Sequence, residues 1–361
     1  MSEDFTTRLR LQLREAALRE EQRGALARGL LSARPRPAMA LGAVAAAIAA
    51  AVVVATALFV GARREEPAAP PGPRVVADVQ IADALGGSAA TGFGSVWLSE
   101  SQQGQILRVD PHTRRVVARI DAGAEVTLAV GDGSVWAASR ASGTFGRPLL
   151  RIDPRTNRVI ARIPRRSPSG APFPGGGFVA VAGSRVWVLS PTGALIVDPA
   201  TNRVIREIAL GGGFQVVDAH VQDAALWLTR ANGTITRFDT RTGRRLGVLP
   251  WTTRGALFPF ADRLVSATRR SVALVDPRTG RAAWRTRLGT ELHGFVVNGP
   301  RVFVEGADGA TARERVWQLD ARTGRVAGAV TMPQFGVVGG IPVGDGVWAL
   351  TSNGHAVVVS P

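Results

Sequence analysis

The chain has 361 residues, of which 45% are hydrophobic and 20% charged, a composition that excludes a disordered protein and allows one large repeat domain. It contains no cysteine, which excludes a disulfide framework, a thiolate metal site and a cysteine nucleophile. The net charge of +16 comes from arginines spread along the chain, without a basic run or a nucleic-acid-binding motif, so we expect no nucleic-acid partner.

The first 73 residues predict a membrane anchor. Residues 1–37 are charged with a weak apolar stripe, which predicts a short cytoplasmic helical segment. The segment from Ala38 to Ala62 (38–62) has no charged side chain and is long enough to cross the membrane as one transmembrane helix. More arginines precede this segment than follow it, which predicts a cytoplasmic N-terminus and an uncleaved signal anchor, with a cleaved signal peptide as the alternative. Residues 63–73 predict a Pro-rich linker to an extracytoplasmic domain.

Residues 74–361 repeat a unit of about 40 residues. Each unit has an apolar strand, a second strand that ends in Asp in six of the seven units, and a turn such as DPRTNR before a third strand. The centres of the first strands are Trp97, Trp136, Trp187, Trp227, Val265, Phe303 and Trp348. Such a period, with three or four short strands per unit, is typical of a propeller blade. The sequence therefore predicts an all-β fold, a seven-bladed β-propeller, preceded by the transmembrane and cytoplasmic helices.

The last unit predicts how the ring closes. It stops at Pro361 without an outermost strand, whereas Arg74 to Ala77 matches the outermost strand of the first unit, Arg115 to Ala118. We therefore expect the N-terminal strand to complete the seventh blade, which removes the open sheet edges. With strands labelled A to D from the centre outwards, the top face carries the D–A and B–C connections and the bottom face carries the others. The linker should then enter on the bottom face, so we expect the top face to point away from the membrane.

The recurring Asp residues at the strand ends are interpreted as turn-formers, because an Asp side chain accepts bonds from backbone N–H groups two residues on. The longer connections, at 139–147, 163–177 and 305–314, are all expected on the top face, where variable loops tend to carry function. Of the four histidines, His112 and His355 are interpreted as solvated turn residues and His220 as a core residue.

The repeat motifs resemble known families. VWVLSPTGALIVDPATNRVIREIALGG is similar to the YVTN-type repeat of bacterial surface β-propellers, and GSVWLSESQQGQILRVDP resembles repeats of the virginiamycin B lyase group. LVDPRTGRAAWR, at residues 274–285, resembles the pyrroloquinoline-quinone-type repeat, whose Trp docks one blade on the next. These resemblances imply a propeller over residues 75–361. They also imply activities that range from lyases and dehydrogenases to pure binding modules.

Two groups of polar residues are candidates for a site on the top face. Glu291 and His293 lie two apart on an expected inner strand, where alternation would point both side chains to one side, and Glu125 holds a corresponding position in another blade. These three are the catalytic candidates. The ligand-binding candidates are Gln215, Arg254, Arg140, Arg165, Arg166 and Arg230. No metal ligand set is assigned.

The favoured hypothesis is a membrane-anchored binding or sensing module that is not an enzyme and needs no cofactor. Its partner would be an extracytoplasmic protein, a glycan or a small anionic ligand, because arginines line the expected rim. The alternative is a lyase or hydrolase with a divalent cation, Mg²⁺ or Ca²⁺, in the central funnel. A quinoprotein dehydrogenase is a third hypothesis, less favoured because only one Trp-docking segment is present.

Overall fold

The computed structural model describes residues 72–140, 147–173, 177–191, 193–210, 216–222, 224–253, 256–308, 311 and 313–361. All of them belong to the unit Ala69–Pro361. Every regular element in these ranges is a β-strand, and they include no helix able to span a membrane. The predicted cytoplasmic helix, transmembrane helix and most of the linker lie outside the described residues.

Seven four-stranded antiparallel sheets form the blades, as the repeats predict. Blade 1 comprises β2 (Leu85–Gly92), β3 (Ser95–Glu100), β4 (Gln105–Val109) and β5 (Val116–Asp121). Blade 2 comprises β6 (Val126–Gly131), β7 (Ser134–Ser139), β8 (Leu149–Asp153) and β9 (Arg158–Ile163). Blade 3 comprises β10 (Val179–Ala182), β11 (Arg185–Leu189), β12 (Gly193–Asp198) and β13 (Arg203–Ala209). Blade 4 comprises β14 (Val216–Gln222), β15 (Ala225–Arg230), β16 (Ile235–Asp239) and β17 (Arg245–Val248). Blade 5 comprises β18 (Leu257–Phe260), β19 (Arg263–Ala267), β20 (Ser271–Val275) and β21 (Ala282–Arg287). Blade 6 comprises β22 (Glu291–Asn298), β23 (Arg301–Ala307), β24 (Glu314–Asp320) and β25 (Val326–Thr331). Blade 7 comprises β26 (Val337–Val343), β27 (Gly346–Thr351), β28 (His355–Ser360) and β1 (Arg74–Gln80).

The burial of each strand follows its place in the blade. Second strands such as β3 and β7 are buried at every residue, whereas outer strands such as β5 and β9 alternate between exposed and half-buried residues. Continuous apolar runs therefore fill the middle of each sheet, and alternating runs cover its outer edge. The core lies between neighbouring blades: one cluster joins Trp97 of blade 1 to Val135 and Ile152 of blade 2.

The N-terminal strand closes the ring, as predicted. Strand β1 pairs with β28 from Arg74 opposite Ser360 to Gln80 opposite His355. The interpretation of His355 as a solvated turn residue is wrong: it begins β28, and its Nδ1 lies 2.7 Å from Oδ1 of Asp78 on β1. The carboxylate partner lies 277 residues away in the sequence, so local sequence does not show this contact.

Arginine side chains join the blades near the C–D turns. The guanidinium of Arg108 in blade 1 stacks on Trp97, with its Cζ 5.2 Å from the ring centroid. Its Nε donates to Ser95 Oγ at 2.8 Å. Its Nη1 crosses to blade 2 and donates to Pro154 O at 2.6 Å and Asn157 Oδ1 at 2.9 Å. Charged donors paired with oxygen acceptors are among the stronger hydrogen bonds, so this Arg–Trp stack ties blade 1 to blade 2.

The same arrangement recurs between blades 2 and 3. Arg151 stacks on Trp136 at 5.1 Å and donates from Nε to Ser134 Oγ at 2.8 Å. Its Nη1 donates to Pro199 O at 2.6 Å and Asn202 Oδ1 at 2.8 Å in the turn of blade 3. Each acceptor Asn holds a positive φ, which Asn tolerates better than most residues.

The Trp implied by the pyrroloquinoline-quinone-type resemblance docks on the next blade, as expected. Trp284 lies on β21 in blade 5, and its Nε1 donates to Ala321 O of blade 6 at 3.2 Å. A Cβ on Gly324 would lie 2.4 Å from the Trp284 ring, so the ring needs a glycine in the facing turn.

Candidate functional site

The recurring Asp residues form turns, as the sequence predicts. Asp110 Oδ1 accepts the backbone N–H groups of His112 and Thr113, both at 2.8 Å. These hydrogen bonds stabilise the carboxylate and lower the pKa of Asp110. Hydrogen bonds from turn residues likewise lower the pKa of Asp153, Asp239 and Asp276. These carboxylates are occupied by the fold and are not available as a catalytic set.

Glu291, the first residue of β22, lies on the top face. Its Oε1 pairs with Arg269 Nη2 at 2.6 Å, and both side chains are largely exposed. Arg269 lies in the B–C turn of blade 5, and its carbonyl also accepts the backbone N–H of Leu292 at 2.7 Å. The Glu291 carboxylate therefore links two blades at the surface.

His293 lies close to Glu291 in sequence but contacts a different side chain. Its Nδ1 lies 3.4 Å from Glu314 Oε2, a carboxylate of the third strand of the same blade. The pairing of β22 with β23 shifts register between Leu292 and Gly294, so His293 occupies a bulge. Glu291 and His293 are both exposed and Leu292 between them is buried, but the two side chains contact different partners.

Glu125, a catalytic candidate, and Arg140, a ligand-binding candidate, lie together on the top face. Arg140 Nη1 lies 3.4 Å from Glu125 Oε1 and donates to Gly86 O at 3.0 Å. A Cβ on Gly86 would lie 2.8 Å from the Glu125 carboxylate, so a larger residue at this position would displace the Glu125 side chain. The pair joins blades 1 and 2 at the mouth of the funnel.

Two of the remaining rim arginines differ from the prediction. Arg165 is only 3% exposed and Arg230 is also buried, so placing them on the exposed rim is wrong. The loop after β9 folds back, with Phe173 N donating to Arg165 O at 2.9 Å, and Arg230 Nη2 donates to Leu210 O. Burial lowers the pKa of both guanidinium groups. Arg166 is exposed, as expected, and donates to Gly170 O. The candidates Gln215 and Arg254 lie outside the described residues.

The sequence did not single out three buried acids, Glu100, Glu305 and Glu314. Glu100 accepts the backbone N–H groups of Gln102 and Gln103. Glu305 on β23 is 1% exposed, and its Oε1 has no hydrogen-bond partner within the described residues. Burial, together with the neighbouring charge of Glu314, raises the pKa of Glu305 to about 7. The carboxyl group fits against two inner strands, where a Cβ on Gly340 would approach it to 2.4 Å and one on Gly294 to 3.2 Å. Comparison of the repeats could have identified Glu305, because the corresponding position in other blades holds small or apolar residues such as Ala138.

Within the described ranges, no three His, Asp or Glu side chains are close enough together to hold a metal ion. Glu125, Glu291 and His293 each contact a different partner, so they do not converge on one position. The described part of the top face therefore contains two ion pairs at the surface, Glu291 with Arg269 and Glu125 with Arg140, and one buried acid with a raised pKa, Glu305.

The family model described as outer membrane protein assembly factor BamB matches residues 231–361, just over a third of the chain. The match includes 274–285, the segment that resembles the pyrroloquinoline-quinone-type repeat. No curated protein sequence matches the chain.

Solved structures share the fold at low identity. BamB from Moraxella catarrhalis superposes with a TM-score of 0.56 at 15% identity, over 80% of this chain and 100% of that one. The computationally designed Ika8 protein superposes with a TM-score of 0.60 at 14% identity, over 79% of this chain and 99% of that one. A natural and a designed protein are similar to this chain at low identity, which shows a shared fold and not a shared site.

Proposed function

We propose that the propeller is a non-catalytic module that binds a protein partner through its top face. The main support for this proposal is the exposure of Phe335, whose side chain is 61% exposed in the connection from β25 to β26. An exposed aromatic side chain on the face that also carries Arg269 and Arg140 suits a protein interface, because aromatic and arginine residues dominate binding energy there. The partial match to a model that describes an assembly factor supports the same role.

Site-specific photo-crosslinking from the full-length chain in its native cells tests this proposal. A photoreactive residue replaces Phe335 in one variant and, as the matched control, Phe93 in another. Phe93 is 43% exposed in the A–B turn of blade 1, on the bottom face. We expect one discrete protein adduct from position 335 that is lost when Arg269 is also changed to Ala. An adduct from position 93 alone, or none from either, would contradict the use of the top face.

The membrane anchor is part of this proposal. The uncharged segment from Ala38 to Ala62 supports it, with the N-terminus in the cytoplasm and the propeller outside. The full-length chain should remain in the membrane pellet after an alkaline carbonate wash, and a variant lacking 38–62 should not. Protease added to the outside of spheroplasts should then degrade the propeller.

The alternative partners, a glycan or a small anionic ligand, are tested by adding each of them to the crosslinking reaction. A ligand that occupies the top face should reduce the yield of the protein adduct.

A metal-dependent lyase or hydrolase is the second candidate, favoured by one observation. Glu305, with its pKa near 7, neighbours Glu314, which contacts His293, and perturbed carboxyl groups cluster at catalytic sites. If this function is correct, Mg²⁺ or Ca²⁺ raises the melting temperature of the full-length chain. The Glu291→Ala/His293→Ala variant should lose that rise, while Glu207→Ala, an outer-strand control, should keep it. An equal rise in melting temperature in all three proteins would show that Glu291 and His293 do not bind the metal ion.

A further inference from the structure

The Arg–Trp stack of blade 4 lacks the partners that complete the stacks of blades 1 and 2. Arg237 stacks on Trp227 with its Cζ 5.0 Å from the ring centroid, the geometry found in blades 1 and 2. The residue that would accept from its Nε, a serine in both other blades, is Ala225 here. Arg237 Nε is buried and has no hydrogen-bond partner within the described residues.

The neighbouring turn of blade 5 also fails to supply its acceptors. Gly280 stands where blades 2 and 3 have Asn157 and Asn202, so no side-chain oxygen is present. The carbonyl of Pro277, which corresponds to the carbonyls of Pro154 and Pro199 in those turns, accepts Trp251 Nε1 at 3.1 Å. Arg237 thus keeps the stack and loses all three oxygen acceptors that its counterparts have.

The space left beside Arg237 is a cavity of about 530 Å³ between blades 4 and 5. Pockets of this volume suit small organic ligands. Its apolar wall includes Trp227, Leu246, Val248 and Pro250. The charged groups that line it are Arg237, Arg263, Arg278 and Asp262, a net positive set.

We propose that this cavity binds a small aromatic carboxylate. The carboxylate oxygens would accept from the guanidinium of Arg237, in the place of the carbonyl and amide oxygens at the other two junctions. A paired guanidinium–carboxylate contact is charge-assisted and geometrically specific. The aromatic body would pack against Trp227 and Val248, which removes apolar surface from water.

The junction between blades 1 and 2 provides an internal comparison. It has a cavity of about 500 Å³ lined by Arg108, Phe93 and the turn from Asp153 to Arg155. Its guanidinium is already paired with Pro154 and Asn157, and the Asp153 carboxylate lines the space. A cavity alone is therefore present at both junctions, but only the junction of blades 4 and 5 has an arginine without its acceptors.

Calorimetric titration of the full-length chain with benzoate tests the site, with benzamide as the uncharged ligand of the same shape. We expect benzoate to bind at least tenfold more tightly than benzamide. Arg237→Met should weaken benzoate at least tenfold while keeping the thermal unfolding transition. Ala225→Ser, which offers Nε an acceptor from the chain itself, should weaken benzoate severalfold, and Ser95→Ala, its mirror change at blade 1, should leave it unchanged.

Three outcomes would overturn the proposal: no benzoate binding to the unmodified chain, equal binding of benzamide, or unchanged benzoate binding to Arg237→Met. If Arg237→Met does not fold, Ala225→Ser decides, because it adds one hydroxyl at a position where the equivalent blades have serine. The result is independent of the protein-binding proposal, since Phe335 lies on the opposite face.

Discussion

The junction of blades 2 and 3 and the junction of blades 4 and 5 are built on the same Arg–Trp stack. Arg151 has three oxygen acceptors, two of them from the next blade, whereas Arg237 has none within the described residues. Two of the acceptors are absent because Ala225 and Gly280 replace serine and asparagine, and the third, the Pro277 carbonyl, accepts from Trp251 Nε1 instead. A side chain that is structural in one repeat can therefore become a binding group in another, without any change to the side chain itself.

The junction of blades 6 and 7 extends the comparison to a buried acid and carries the largest expected effect. The folded-state pKa of Glu305, about 7, lies above its ordinary value of 4.5, so the folded chain holds this proton more tightly. Its contribution to stability is fully present below pH 4.5, falls between pH 4.5 and 7, and is level above. The loss corresponds to about 3 kcal/mol.

Urea unfolding from pH 4.5 to 8 measures this loss. Glu305→Gln should remove most of the pH dependence in that range and be the more stable protein at pH 8. Glu291→Gln, an exposed control on the same blade, should retain it. The turn Asp residues act in the opposite direction: their lowered pKa values contribute stability that is lost as the pH falls below about 4. A flat profile for the unmodified chain would show that Glu305 titrates normally.

Removing the guanidinium should separate the complete junction from the incomplete one. Arg151→Met should lower the free energy of unfolding by about 2 kcal/mol, because it removes charged hydrogen bonds to Ser134 and to the turn of blade 3. Arg237→Met should cost less than about 1 kcal/mol, since it removes only the stack on Trp227. Urea unfolding at one pH compares them. Equal losses would mean that the acceptors add nothing to the stack.

Removing one acceptor at the junction of blades 1 and 2 should make it more like the junction of blades 4 and 5, where the described residues give the arginine no acceptor. Asn157→Gly deletes the Oδ1 that accepts from Arg108, and glycine adopts the positive φ of this position without strain. We expect a loss of about 1 kcal/mol in the free energy of unfolding. Asn202→Gly is the matched change at the next junction and should behave alike. A stabilised Asn157→Gly variant would show that backbone strain outweighs the hydrogen bond.

Adding one acceptor should have the smallest effect, in the opposite direction. Ala225→Ser places a hydroxyl where Ser95 and Ser134 accept Nε in the other blades. Satisfying the buried Nε of Arg237 should raise the free energy of unfolding by about 0.5 kcal/mol. The melting temperature of Ala225→Ser against the unmodified chain is the measurement. A lowered value would mean that the hydroxyl is buried without reaching Nε.

The blades and their closure could be predicted from the sequence because both depend on repeated local patterns. The spacing of Trp97, Trp136 and Trp187 reports the period, and the match of 74–77 to 115–118 reports the closing strand. The candidate site depended on side-chain contacts between strands and between blades, which local patterns do not encode. His293 contacts Glu314 on the third strand of its own blade, whereas Glu291 pairs with Arg269 of the neighbouring blade. The open stack at Arg237 becomes visible only when the turn of the next blade is placed beside it.

The pairing of β1 with β28 has a consequence for how the domain folds. Blades 1 to 6 are each built from one continuous stretch of chain, whereas blade 7 joins residues near 74 to residues near 360. Long-range pairing of this kind is slow, because the chain must lose loop-closure entropy before the contact contributes. While the chain is being made, the first six blades can form in order, but β1 waits for a partner strand that emerges after all of them. During that interval an open arc exposes two sheet faces that the finished ring buries, and this is when the protein is most vulnerable to aggregation.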